Sequence, residues 1–182
     1  MNRIAVFFAT GYEEIEALTV VDLCRRAGIQ TDMVSVTGEF QVVGSHGIGV
    51  AMDQLFEEVD FEALDMIVLP GGMPGTKNLE AHQGLMEQTD RFYQEGKGIA
   101  AICAAPSILG HRGYLKGRDA CAYPGFESHL EGARVSDRIV EVSDHVITSR
   151  GMGCAVDFGL AIVEYFCGGD KAKELAATII YA

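Results

Sequence analysis

The nonapeptide Gly98 to Pro106 reads G-I-A-A-I-C-A-A-P, which puts the Cys103 thiol on a tight turn between a buried strand and a following helix. A helix amino terminus offers unpaired N–H groups and the positive end of its dipole, and both favour thiolate over thiol. An ordinary thiol titrates near ~8.5, whereas cysteines so placed fall to ~3.5–7.5, so Cys103 is expected to be mostly ionised at neutral pH. An inert apolar filler would occupy the same position equally well, and neighbours must decide. Glu16 is the first such neighbour. At 100° per residue it shares a helical stripe with Val20, Leu23 and Ala27, so its carboxyl faces packed surface and its pKa should rise. Kept protonated, it can donate to a thiolate and shuttle a proton. The helix is apolar on nearly every side, however: Asp22 passes a similar test, and acidic residues here, Glu13 and Glu14 included, also complement the helix dipole. Gly71-Gly72 and the Ala104 N–H could hold a developing oxyanion near the sulfur, although a Gly-Gly pair also serves as a plain turn.

The elements that must position these groups follow from apolar patterning. Ile4 to Phe8 reads as a buried strand, followed by a turn at Thr10-Gly11 and a helix from about Glu13 to Ala27 stopped by Gly28. Asp32 to Val36 is a second strand, and Thr37 to Val50 holds two short β-like runs, a small hairpin excursion. Met66 to Leu69 leads into Pro70-Gly71-Gly72-Met73-Pro74-Gly75, then a helical region ending near Gly96, the strand Gly98 to Ile102 and a helix from about Ala105 to His111. Asp119 to Ala122 is a further strand, Arg138 to Val142 and His145 to Ser149 form a pair around Ser143-Asp144, and Val156 to Phe166 and Lys171 to Ile180 are closing helices. Strands alternating with helices predict an α/β, doubly wound, mainly parallel sheet sandwiched by helices, flavodoxin-like, as one domain over residues 1–182. Ligands bind such sheets beyond the carboxyl ends of the strands. Glu13, Glu14 and Glu16, Gly71-Gly72, Cys103 and Arg150-Gly151-Met152-Gly153 all follow strands and should meet on one rim.

Composition narrows the classes. The 182 residues are 48% apolar with a net charge of −12, which suits one globular core and disfavours nucleic acid as a partner. No apolar run approaches the ~20 residues of a bilayer crossing and no secretory leader is evident, so neither a membrane nor secretion is expected. Five cysteines without a C-x-x-C pair argue against disulfides and a cysteine zinc site, and point to a reducing cytoplasm. There is no G-x-G-x-x-G or Walker motif, and the acidic first turn would repel phosphate. His46, His82, His111, His129 and His145 form no tight ligand pair along the chain, each reading as a surface or loop residue, so neither a metal nor a cofactor is expected.

The segments G-Y-E-E-I-E-A (11–17), L-P-G-G (69–72), A-A-I-C-A-A-P (100–106) and I-T-S-R-G-M-G (147–153) together resemble the ThiJ/PfpI family, in its Parkinson-associated deglycase (DJ-one) branch. The resemblance runs nearly end to end. It implies Cys103 as an oxidation-prone nucleophile, Glu16 as its protonated partner, and Gly72 and Ala104 as oxyanion donors. Two departures stand out: Tyr123 replaces a histidine that many members place near the cysteine, and Ala104 stands where the peptidase branch has histidine, which disfavours peptidase chemistry. G-M-G-C replaces the usual G-P-G-T and brings Cys154 close, as a potential resolving thiol for Cys103.

The expectation is therefore a cofactor-independent stress-response enzyme of glyoxalase or deglycase type, acting on methylglyoxal-like dicarbonyls or their early protein adducts. The alternative is a redox sensor or oxidative-stress chaperone working through Cys103 sulfinate; a scaffold with a vestigial site is a third reading. The family implies a homodimer. So does the first helix, on which Ile15, Ala17, Leu18, Val20, Val21, Leu23 and Cys24 are apolar all round while a sheet covers only one side.

Overall fold

The computed structural model describes residues 2–181. The chain runs β1 (Arg3–Phe8), α1 (Glu14–Arg26), β2 (Gln30–Ser35), the hairpin β3 (Gln41–Val43) and β4 (Gly49–Ala51), then β5 (Gln54–Leu55) and β6 (Met66–Leu69). It continues through α2 (Gly75–Ala81), α3 (Gln83–Glu95), β7 (Gly98–Ile102), α4 (Pro106–His111), β8 (Asp119–Ala120), β9 (Arg134–Val135), β10 (Val140–Ser143), β11 (Val146–Ser149), α5 (Ala155–Cys167) and α6 (Gly169–Thr178). Seven strands form one sheet in the order β10-β11-β7-β6-β1-β2-β5, parallel throughout except for β10 at one edge. This is the doubly wound α/β architecture expected from the alternation of elements.

The period of two along each strand sends side chains to opposite faces. Ile4, Val6, Phe8, Met66, Val68, Ala100 and Ile102 pack on one face with α1, α5 and α6. Ala5, Phe7, Ile67, Leu69, Ile99 and Ala101 pack on the other with α3 and α4. Central strands buried on both faces are apolar without interruption, which is why they are legible as short continuous runs.

Three expectations need correction. The helical region before Gly96 is two helices, because His82 is extended and its Nδ1 accepts the Leu85 N–H at 3.0 Å, capping α3 as a new start. The strand placed at Asp119–Ala122 is only β8, and it pairs with β9 outside the main sheet. The all-round apolarity of α1 is mostly consumed within the chain. Ala17, Val20, Val21, Leu23 and Cys24 are buried, and α5 approaches so closely that a side chain at Gly159 would stand 2.7 Å from Leu23 Cδ1. Only Ile15, exposed, and Leu18, half-buried, face outward. Among the described residues no helix is long and apolar enough to cross a membrane.

Candidate active site

The first β-α turn, the glycine turn after β6, the turn after β7 and the loop after β11 meet at the carboxyl edge of the sheet. They enclose a cavity of about 630 Å³ lined by Glu13, Glu16, Cys103, Tyr123, Arg150 and Cys154, among others. A groove of similar size over α1 is lined by no cysteine or histidine.

Cys103 occupies the left-handed region at φ +66°, a conformation that side chains adopt only when their surroundings hold them. Two backbone bonds do so: its N–H donates to Ser149 O at 3.0 Å, and its carbonyl accepts the Tyr123 N–H at 2.8 Å. The sulfur thereby turns toward the Gly72 and Ala104 N–H groups, both of which stabilise its anion. Gly72 has φ +92°, and a Cβ there would lie 2.4 Å from Glu13 N. Gly71 is equally crowded, and its N–H, expected with that of Gly72 to face an oxyanion, is turned to Glu16 instead. A Cβ on it would stand 2.5 Å from Cys103 Cβ and 2.6 Å from Glu16 Oε2, and its N–H donates to that same oxygen at 3.0 Å. A missing side chain is what lets the acid reach the thiol.

The structure separates Glu16 from Asp22 decisively. Glu16 is 1% exposed, whereas Asp22 lies in solvent and pairs with Arg26 at 2.7 Å. Burial, with the charge of Glu13 added, pushes the Glu16 carboxyl up to about 7 against the pull of Cys103 and the Gly71 N–H. Its Oε1 is buried without a conventional partner, and a proton on the carboxyl gives it one role it lacks, donation to the neighbouring sulfur.

The expectation of a freely ionised thiol changes. Burial first, and then the charge and hydrogen bond of an ionised Glu16, push the Cys103 thiol up to about 12, while the Gly72 and Ala104 N–H groups draw it down. A six-residue α4 that begins only at Pro106 does not outweigh that burial. The acid and thiol are therefore one titrating unit that holds a single proton between about 7 and about 12.

The hairpin supplies rim residues that sequence reading missed. Its tip brings Ser45 and His46 onto α1: Glu14 accepts the His46 N–H at 2.8 Å, while Ser45 Oγ and His46 Nδ1 lie at 3.2 and 3.1 Å. Gly44 permits this contact, since a Cβ there would sit 2.3 Å from Glu14 Oε1. The only signal in the sequence is the polar G-S-H-G tip itself. Burial pushes the Glu14 carboxyl up, but the His46 and Ser45 bonds outweigh it and hold the group at about 2. Glu13, Glu14 and His46 place potential ligand atoms within 4.8 Å of one another, a grouping invisible to spacing along the chain. The histidines are also less uniform than expected: His145 is largely buried, and His111 lies against His129. Arg150 lines the cavity with Nη1 donating to Asp137 O at 3.2 Å, and half-exposed Tyr123 stands across from it.

Comparison with known proteins gives a consistent picture. Residues 2–165 match the model of the DJ-1/PfpI family. Drosophila melanogaster protein dj-1beta is 34% identical over 180 residues, covering 97% of this chain and 96% of the relative. The Caenorhabditis elegans glutathione-independent glyoxalase DJR-1.2 is 33% identical, with 93% and 91% covered. The solved structure of oxidized Toxoplasma gondii DJ-1 superposes with a TM-score of 0.96 at 36% identity and covers 100% of both chains. The chain spans 46% and 41% of the length of Arabidopsis thaliana DJ-1 homologs A and B.

Replacing Glu16 by Gln removes the anion that holds the thiol up. The thiolate absorbance of the variant is expected at lower pH than the step near 12 in the parent. Identical ultraviolet titrations of Cys103 in both proteins would show the pair to be uncoupled. Glu14 makes a separate prediction. Its folded pKa lies below the ordinary 4.5, so it stabilises the fold above that value and loses the contribution as pH falls through about 2. Glu14→Gln should unfold at lower urea than the parent at pH 6, with the gap narrowing steadily below pH 4.5.

Proposed function

The chain belongs to the DJ-1/PfpI family, and on that footing we propose that it is a cysteine-dependent, cofactor-independent glyoxalase- or deglycase-type enzyme acting on methylglyoxal-like dicarbonyls or their early protein adducts. The observation that carries this reading is the buried Glu16 carboxyl, at about 7, beside a Cys103 sulfur faced by two backbone donors. A general base works best when its pKa lies near the operating pH. The C. elegans glyoxalase among the relatives supports the same substrate class.

The reaction follows from the pair. Ionised Glu16 takes the thiol proton as the sulfur attacks the aldehyde carbon, and the hemithioacetal oxygen takes up a proton in turn. The Gly72 and Ala104 N–H groups hold the negative charge as it passes from sulfur to the oxygen two bonds away. Glu16 then takes the proton from the former aldehyde carbon and returns it to the adjacent carbon, while the hemithioacetal hydroxyl proton passes to the neighbouring carbonyl oxygen, leaving a thioester of the 2-hydroxy acid. Water breaks the carbon–sulfur bond and returns the proton to the pair, so the net change is addition of one water with no external oxidant or reductant. Tyr123 stands where a relay histidine is expected, which leaves Glu16 as the proton carrier.

The second reading is a redox sensor or stress chaperone in which Cys103 becomes a sulfinate. Its support is the oxidized state named for the Toxoplasma structure, and a protonated Glu16 with two N–H donors suits sulfinate oxygens as well as it suits a thiolate. Cys154, half-buried on the same cavity, is the candidate resolving thiol. A homodimer belongs to the proposal too: exposed Ile15 and Ile48 with half-buried Leu18 and Ile179 line the α1 groove, which a second copy would cover.

Glu16→Gln is expected to lower kcat/KM for methylglyoxal by ~10²–10⁴, the usual worth of a positioned acid-base group, and Cys103→Ser to abolish turnover. Full activity in either variant rules out the Cys103–Glu16 mechanism, and absence of turnover in the parent rules out the enzyme reading. Peptide mapping after peroxide treatment should show sulfinate at Cys103 if the second reading applies, and absence of a Cys103–Cys154 disulfide dismisses the resolving role. Sedimentation at micromolar protein should give a dimer; a monomer there contradicts the proposed interface.

A further inference from the structure

We propose that His111 and His129, backed by Glu80, form a binding site for a divalent transition metal such as Zn²⁺ or Cu²⁺, separate from the Cys103 cavity. The two histidines lie 18 positions apart and meet because of a close backbone contact. Gly110, the residue before His111, faces the His129 carbonyl so tightly that a Cβ there would be 1.9 Å from that oxygen. With the main chains in contact, the side chains of the following helix end and of the 127–129 turn stand side by side.

Hydrogen-bond chemistry fixes how the rings face. His111 Nδ1 lies 2.6 Å from Glu80 Oε1, and a carboxylate only accepts, so Nδ1 carries the proton and Nε2 offers its lone pair. That nitrogen meets His129 Nδ1 at 3.0 Å, with the ring centroids 5.1 Å apart. A single proton occupies the space between two aromatic nitrogens. When a metal ion takes that place, the proton shifts to the outer Nε2 of His129, and both inner lone pairs become ligands. Zinc bonds of 2.0–2.1 Å at a tetrahedral angle need nitrogens roughly 3.4 Å apart, so the rings must part by about 0.4 Å and tilt until both lone pairs aim at an ion to one side of the line between them. Both are on the surface with room to do so, and water fills the remaining positions.

Glu80 supplies what a bare histidine pair lacks. A carboxylate bonded to the far nitrogen of a metal-binding imidazole fixes its tautomer and raises its basicity. Imidazole ligands select zinc and copper over magnesium and calcium, whose preferred ligands are oxygens. The rival location is the Glu13–Glu14–His46 trio, whose groups are already occupied by Ser45 and by the His46 N–H.

The test is a Zn²⁺ titration of the full chain followed by calorimetry and by imidazole nitrogen resonances. One saturable site is expected, with shifts at His111 Nε2 and His129 Nδ1. Binding should weaken at least tenfold in His111→Gln and in His129→Gln, and by ~10–100-fold in Glu80→Gln, while His46→Gln binds as the parent does. Unchanged urea midpoints certify the variants as folded, and the separate single substitutions guard against one of them failing. Absence of saturable binding, parental affinity in the His111→Gln/His129→Gln double variant, or shifts confined to His46 would overturn the proposal.

Discussion

One proton shared between a buried carboxyl and a half-buried thiol is the constraint around which this molecule is arranged. Neither group can ionise cheaply alone, because the carboxyl is out of water and the thiol largely so, and their charges repel. Holding a single proton between them removes the repulsion and leaves one negative charge, which the Gly72 and Ala104 N–H groups face. Burial makes the carboxyl basic enough to accept a proton near neutral pH. The same burial prevents the sulfur from ionising independently of it.

Such a pair requires backbone to come where side chains cannot. Gly71 lies against Cys103 Cβ and Glu16 Oε2, Gly72 against the Glu13 amide, and Gly11, at φ +84°, against the Pro74 ring. These contacts lock the turns after β1 and β6 together at the point where the chain reverses its order across the sheet. The strained Cys103 backbone is held from two sides, by β11 through Ser149 O and by the Tyr123 segment. Four strand ends thus converge on one sulfur, and a shift in any of them alters its surroundings.

A different balance governs the rim. Glu14 is nearly as buried as Glu16, yet its carboxyl moves the opposite way, because the hairpin tip brings the hydrogen-bonding groups of Ser45 and His46 to it. Two carboxyls on the same helical turn therefore titrate apart, one raised by desolvation and the charge of Glu13, the other held down by its bonds to His46 and Ser45. Glu16, whose main polar partner is one N–H, is left poised; Glu14, saturated with donors, stays charged and anchors the hairpin.

Much of this was legible in the order of residues. Continuous apolar runs specify the parallel strands, the resemblance to a known family ran nearly the whole length, Cys103, Gly72 and Ala104 stood out by their places after strands, and Glu16 was preferred through that resemblance. What a one-dimensional reading cannot supply is proximity between distant segments and the degree of desolvation. It could not choose between Glu16 and Asp22 from the helix alone, foresee that α5 would cover most of α1, see Ser45 and His46 arrive at Glu14, or pair His111 with His129. Helix tip and thiol are both visible in the sequence, and they suggested a free thiolate. Only the packed structure shows that the loss of water around the sulfur outweighs a short helix's dipole, because the cost of burying charge is set by everything that surrounds an atom in three dimensions.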